Sequence, residues 1–283
     1  MSERERQTLL LRLAGPLQSW GTSSRWTERD TGYEPSKSGV IGILAAALGL
    51  PRSSDLSSLA ALRMGVRVDQ EGVPGYDFQS AGAGDDHPGI AMGQDTVIAI
   101  GRRLTTTLGE GRWIIPPGKV DKKWIGQGSK TVAGGKVSIS KRYFLQDAVF
   151  LVGLEGDDLA LLTELDAALR APVYPIGLGR RSYVPSVPVA MPKTGIRNHM
   201  ALRDALEHEP WPVASLSNRA IRADRRRERR IRRLVLEDPT ATGGTIRNDQ
   251  PIGAAFSTRV FGPRIVAFSE CAPKERGDLD DWL

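Results

Sequence analysis

The sequence predicts an α+β fold with a ferredoxin-like, split βαβ core, and three observations carry that reading. Short apolar runs and two helix patterns follow one another in the order β-α-β-β-α-β once one basic stretch is set aside. The 31 Gly and 18 Pro favour strands and turns over a helical bundle. Apolar residues at 40% and charged residues at 25% are the proportions of a chain that forms an ordinary core, and 283 residues suffice for one large domain or two small ones.

Thr8 to Leu13 reads as a buried strand closed by the turn signal Gly15-Pro16. Ser36-Lys37-Ser38 then precedes Val40 to Leu48, with Gly49 and Pro51 past the end, which sets the start and stop of one helix. That helix is apolar on nearly every side, so it has to lie between a sheet and a second layer. Met64 to Val68 gives a second strand, Gly72 to Gly93 a glycine-rich loop, and Val97 to Ile100 a short strand. Arg102 to Arg142 has little apolar periodicity and reads as a protruding insertion. Tyr143 to Leu154 is expected as one strong strand. Asp157-Asp158 then cap a helix whose stripe is Leu159, Leu162, Leu165 and Leu169, and Pro172 stops it. Tyr183 to Met191, spaced by Pro185 and Pro188, is expected as an edge strand. Asn198 to His208 reads as a short helix, Leu234 to Leu236 and Arg264 to Phe268 as two late strands, and Glu275 to Leu283 as a loose acidic tail.

Several function classes drop out on composition. Cys271 is the single cysteine, so there is no intrachain disulfide and no Cys/His zinc set. The first residues carry charges of both signs, unlike a signal peptide. The longest apolar stretch, Val40 to Leu50, falls well short of the ~20 residues of a membrane helix. A cytoplasmic protein without membrane contact is expected. Gly126-Gln127-Gly128-Ser129-Lys130-Thr131 has the residues of a phosphate loop in the wrong order, and Gly177-x-Gly179-x-x-Ser182 follows a helix instead of a strand, so neither an NTPase nor a dinucleotide site is read here. His87, His199 and His208 are scattered and the carboxylate pairs sit at turns and caps. No catalytic residue, metal or cofactor is assigned.

The net charge of +6 is unevenly held. From Arg102 to Tyr143 there are ten Lys/Arg against Glu110 and Asp121, and from Arg219 to Arg233 nine Arg against Asp224 and Glu228. What remains is net acidic, so the basic character belongs to two stretches, which points to a polyanionic partner. Arg180 and Arg181 beside Gly177 and Gly179 suit a turn whose backbone and cations approach phosphate, although a tight helix-to-strand turn explains the glycines equally well. Lys37 and Ser38 at the start of the first helix suit a phosphate seat, with plain N-capping as the competing reading. Trp20 and Trp26 near Arg25, Trp113, Trp124 and Tyr183 lie beside cations in sequence, and up to two of them are expected to stack on bases.

Leu11-Arg12-Leu13-Ala14-Gly15-Pro16-Leu17-Gln18-Ser19-Trp20-Gly21, then Pro35 to Gly42, then Gly177-Leu178-Gly179-Arg180-Arg181-Ser182-Tyr183-Val184-Pro185 resemble the CasD-type RAMP subunits of type I-E CRISPR Cascade complexes. Asp77-Phe78-Gln79 and Arg142 to Ala148 join these motifs, and Phe256 to Phe268 echoes the family more faintly. The resemblance implies a ferredoxin-like (RRM/RAMP) palm over 1–101 and 144–192, with a basic thumb hairpin inserted at 102–143. It leaves 193–283 as a C-terminal β-rich extension holding the arginine stretch 219–233 and the acidic tail. It implies a non-catalytic subunit that grips the 5′ handle of CRISPR RNA and caps the backbone filament. Its partners would be that RNA, the backbone subunit and the large PAM-reading subunit, while nine arginines in the fifteen residues 219–233 suggest added contacts to handle phosphates or to target DNA. Local readings and the resemblance together give as candidate RNA-binding residues Gln18, Trp20, Arg25, Lys37, Ser38, Arg102, Arg103, Lys119, Lys122, Lys123, Arg142, Gly177, Gly179, Arg180, Arg181 and Tyr183. Two rivals are a metal-independent endoribonuclease that processes precursor RNA and a basic DNA-binding or ribosome-associated protein unrelated to CRISPR.

Overall fold

The computed structural model describes residues 6–22, 28–81, 138–210 and 232–272. The chain divides into two compact units, one made of Met1–Ser24, Asp30–Gly75 and Tyr143–Leu283, the other of Arg25–Arg29 and Tyr76–Arg142. The strand Val97 to Ile100, the arginine stretch up to residue 231 and the acidic tail lie outside the described residues.

The larger unit is a mixed α+β body around an antiparallel sheet. Its elements are β1 (Gln7–Ala14), β2 (Leu17–Gln18), α1 (Lys37–Ala47), α2 (Ser57–Ala61) and β4 (Arg63–Gln70), with β3 (Glu28–Arg29) in the other unit. Then come β7 (Val149–Gly156), α3 (Leu159–Arg170), β8 (Ile196–Arg197) and α4 (Leu202–His208). The chain closes with β9 (Arg232–Glu237), β10 (Thr245–Pro251), α5 (Ala255–Thr258) and β11 (Phe261–Cys271). Seven strands pair in the order β10-β11-β9-β4-β7-β1-β8.

Side-chain alternation splits the sheet into two cores. On one face Leu9, Leu11, Leu13, Val66, Phe150 and Val152 meet the buried sides of α1, α2 and α3. On the other, Leu10, Leu151 and Leu234 meet Leu202, Ala205 and Leu206 of α4. Gly65 and Gly153, opposite each other on β4 and β7, make room for α4. A Cβ at Gly65 would stand 2.8 Å from Leu206 and Leu236, and one at Gly153 2.8 Å from Leu202. Arg67 is buried beneath the end of α4, paired with Asp69 at 2.6 Å and donating to the carbonyls of Leu206 and Glu209. It therefore satisfies both a buried charge and two helix-end acceptors.

α1 is capped by Ser36, whose hydroxyl accepts from the Gly39 amide, and it packs against α3 and β10 as an all-round apolar helix must. Asp158 caps α3 through the Leu161 amide, and Leu162, Leu165 and Leu169 are buried, but Leu159 at the first turn faces solvent. Three local expectations change. Tyr143 to Leu154 is not one strand: β6 (Ser138–Gln146) ends at Asp147, whose φ of 55° turns the chain before β7 starts. The left-handed Asp147 bends the chain between the end of β6 and the start of β7. The glycine-rich stretch after residue 72 holds β5 (Val73–Ala81). Tyr183 to Met191 forms no strand and makes one isolated bridge, Leu11 to Ala190, because prolines 185 and 188 cannot donate to a ladder.

In the smaller unit β5 pairs with β6, and β3 (Glu28–Arg29) lies parallel to β6 with Glu28 opposite Lys141 and Arg29 opposite Arg142. No helix among the described residues is long and apolar enough to cross a membrane.

Candidate nucleic-acid interface

The three motifs of the sequence meet in the larger unit. The Gly177–Tyr183 turn is closed by Leu178 donating to the Tyr183 carbonyl at 2.7 Å and Tyr183 donating to the Arg180 carbonyl at 3.0 Å. It docks on the segment after β1, where the Ser19 amide donates to the Leu178 carbonyl at 3.1 Å. Gly179 has φ +85°, and a Cβ there would stand 1.7 Å from the Ser19 carbonyl oxygen, so both conformation and space demand glycine. Trp20 follows, and its ring covers Gly39 in the first turn of α1.

The cations of this turn have different fates. The Arg180 guanidinium donates to the Tyr183 hydroxyl at 2.7 Å and the Tyr143 carbonyl at 2.8 Å, and lies 5.2 Å from the Tyr183 ring centre. Ser19 donates to the same Tyr143 carbonyl at 3.0 Å. Arg180 is thus held in one orientation, whereas Arg181 is exposed. Tyr183 is buried edge-to-face against Phe144, with centroids 6.3 Å apart, so it orients Arg180 and offers no face for stacking.

Several other expected contact residues are structural. Trp20 is 1% exposed, and its indole donates to Gln18 at 3.2 Å. Gln18 is fully buried and donates to the carbonyls of Leu13 and Ala148 at 3.2 and 2.7 Å, tying β1 to the start of β7. Lys37 is 1% exposed. Its ammonium donates to both Glu237 oxygens at 3.1 and 2.9 Å, and its amide donates to Asp249 at 2.7 Å. Arg264 completes the group by gripping Asp249 at 2.6 and 2.9 Å. The helix start does favour an anion, but two carboxylates of the same chain supply it, so the phosphate seat is corrected to an internal ion network. Burial holds the Lys37 ammonium below the usual lysine range, with Glu237 opposing that shift.

Ser38 is half-buried and donates to Ser36 at 3.4 Å. Arg142 is half-buried in the smaller unit, its Nε donating to Ser140 at 3.3 Å. Arg25, Arg102, Arg103, Lys119, Lys122 and Lys123 lie outside the described residues. What the sequence reading missed in the smaller unit is an exposed aromatic pair, Tyr76 and Phe78, with Lys141 over both rings. The signal was available: Tyr-x-Phe spacing places two rings on one strand face.

Of the other reactive types, the His208 ring lies 2.7 Å from the Asp204 carbonyl, and burial pushes the Cys271 thiol above its usual range. No group of three or more His, Cys, Asp or Glu among the described residues could hold a metal ion.

A family model described as CRISPR-associated protein (Cas_Cas5) matches residues 8–267. The CRISPR system Cascade subunit CasD of Escherichia coli (strain K12) is 31% identical over 179 residues, 62% of this chain and 66% of that protein, so the chain spans just under two thirds of that relative. A solved crystal structure of a Cas protein is 38% identical with a TM-score of 0.60, covering 94% of this chain and 95% of the other. A chain of a CRISPR RNA-guided surveillance complex is 27% identical with a TM-score of 0.60, covering 94% and 90%.

Two substitutions separate scaffold from surface. Gly179→Ala should cost at least about 2 kcal/mol in denaturant unfolding, from positive φ and the clash with Ser19. Lys37→Ala strands Glu237 in a dry site and should cost about 3 kcal/mol, yet leave the nucleic-acid affinity of the folded fraction unchanged.

Proposed function

This chain belongs to the CRISPR-associated Cas5 family, and from that premise we propose that it is a non-catalytic subunit of an RNA-guided surveillance complex that binds the 5′ handle of the guide RNA. The observation that carries the reading is the Gly177–Tyr183 turn, which fixes Arg180 against Tyr183 and the Tyr143 carbonyl and leaves Arg181 exposed near a glycine of positive φ. Such a turn lets a sugar-phosphate backbone approach the main chain closely, and a preset guanidinium contacts phosphate with little entropy left to lose. The names of the relatives, a Cascade subunit and an RNA-guided complex, support the same assignment.

In this reading the palm is ferredoxin-like, supported by β1, α1, β4, β7, α3 and β8 in chain order with β7 between β1 and β4 and β8 on the outer side of β1. The basic thumb is the insertion 102–143, and its cations Arg102, Arg103, Lys119, Lys122 and Lys123, with Arg142, are RNA-binding residues. Residues 193–283 extend the palm. The backbone subunit and the large PAM-reading subunit are the protein partners, the protein works in the cytoplasm, and it needs no cofactor.

Arg181→Ala should leave the melting temperature unchanged, weaken binding of a handle-length RNA several-fold, and reduce the slope of log affinity against log salt by about 0.7, the single-strand value for one phosphate contact. An unchanged slope would remove Arg181 from the interface. Incubated with repeat-bearing precursor RNA in chelator, the purified chain should leave the RNA intact on a denaturing gel, and site-specific cleavage would overturn the non-catalytic reading.

A further inference from the structure

Tyr76 and Phe78 stand two residues apart on β5 and so project from one face of the strand. Their rings meet at 88° with centroids 5.4 Å apart, each fixing the other, yet they are 54% and 62% exposed. The Lys141 ammonium, reaching over from β6, lies 5.9 Å from one ring centre and 5.8 Å from the other. Two large aromatics held rigid in water with a cation across both are poor core material.

We propose that Tyr76 and Phe78, with Lys141 across them, form a stacking platform for unpaired bases of a single-stranded RNA. The proposal rests on the RNA-binding reading above and adds a second contact surface to it. Bases stack on aromatic faces whatever their identity, while the ammonium meets the phosphate that links them. The charge over the rings, the Lys141 ammonium, is complementary to that occupant. An apolar protein surface would instead have to strip water from Lys141 without offering it a counter-charge.

The test uses the full chain and a short single-stranded RNA carrying 2-aminopurine. Tyr76→Ala and Phe78→Ala should each weaken binding by about fivefold or more, with the salt slope unchanged and the 2-aminopurine quenching reduced. Tyr76→Phe, which keeps the ring, should bind as the parent does. Phe78→Leu, which keeps the apolar bulk and so guards against loss of folding, should weaken binding as alanine does. Lys141→Gln should lower the salt slope by about 0.7. If the parent binds RNA and the doubly substituted chain binds it equally well, the platform is refuted while the RNA-binding reading stands. If the parent binds no RNA, both fall. If the double variant keeps its RNA affinity but no longer enters the assembled complex, the rings dock a protein and the proposal is wrong.

Discussion

β1 is buried along its whole length, and much of the larger unit follows from the demands this makes. Both faces of the strand are covered, so Leu9, Leu10, Leu11 and Leu13 run on without the alternation of a half-exposed strand. Its buried polar side chains reach carbonyls inside the body. The Arg12 guanidinium donates to the Ala190 carbonyl at 3.1 Å, and the Thr8 hydroxyl to the Met200 carbonyl at 2.9 Å. The amides of Leu10 and Arg12 donate to Gly195 and Val189 at 2.8 and 2.9 Å. The edge of β1 away from β7, which also pairs with β8, pins the proline-spaced segment that follows the glycine turn, and Ser186 donating to the Ala14 carbonyl fixes that segment close to the turn itself. A turn anchored at Ser19 on one side and at Ala14 on the other holds its shape before any ligand arrives.

Local signals in the sequence locate β1, α1, β4 and α3, because each rests on a contiguous pattern with its own cap or stop. The failures lie where pairing and sequence pattern part company. The apolar run from Tyr143 covers the end of β6 and most of β7, which lie in different sheets, and the single left-handed residue between them, Asp147, resembles any surface aspartate. β10 reads Thr-Ile-Arg-Asn-Asp-Gln-Pro, with no apolar alternation, because its inward positions hold a carboxylate that serves α1 and not a hydrocarbon. A strand whose buried side chain is an ion is invisible to a hydrophobicity reading.

The candidate site divides in the same way. The glycine turn was legible because positive φ and close backbone approach are properties of single residues. The phosphate seat at Lys37 was misread because its two counter-ions stand 200 and 212 residues away in the chain. Nothing near position 37 announces them. The stacking residues were sought where a cation neighbours an aromatic in sequence, as Trp20 and Tyr183 do, but residues adjacent along a strand point to opposite faces. The pairing that matters crosses strands, which is how Lys141 comes to lie over Tyr76 and Phe78 from more than sixty positions away.

The ion network at α1 also explains why the last strands belong to the same body as the first helix. Lys37, Glu237, Asp249 and Arg264 come from α1, β9, β10 and β11, and each charge has an opposite partner within 3.1 Å. Glu237 further accepts from the Met64 amide at 3.2 Å, which brings in β4. An apolar cluster would fill that space with less desolvation, but it would tolerate a slipped register. Shifting β10 by one residue would turn Asp249 away from both Arg264 and the α1 amide, leaving two buried groups unmet at once. The network therefore ties the register of the C-terminal strands to the start of α1, the same turn that Trp20 covers, and through Trp20 to the segment on which the glycine turn rests.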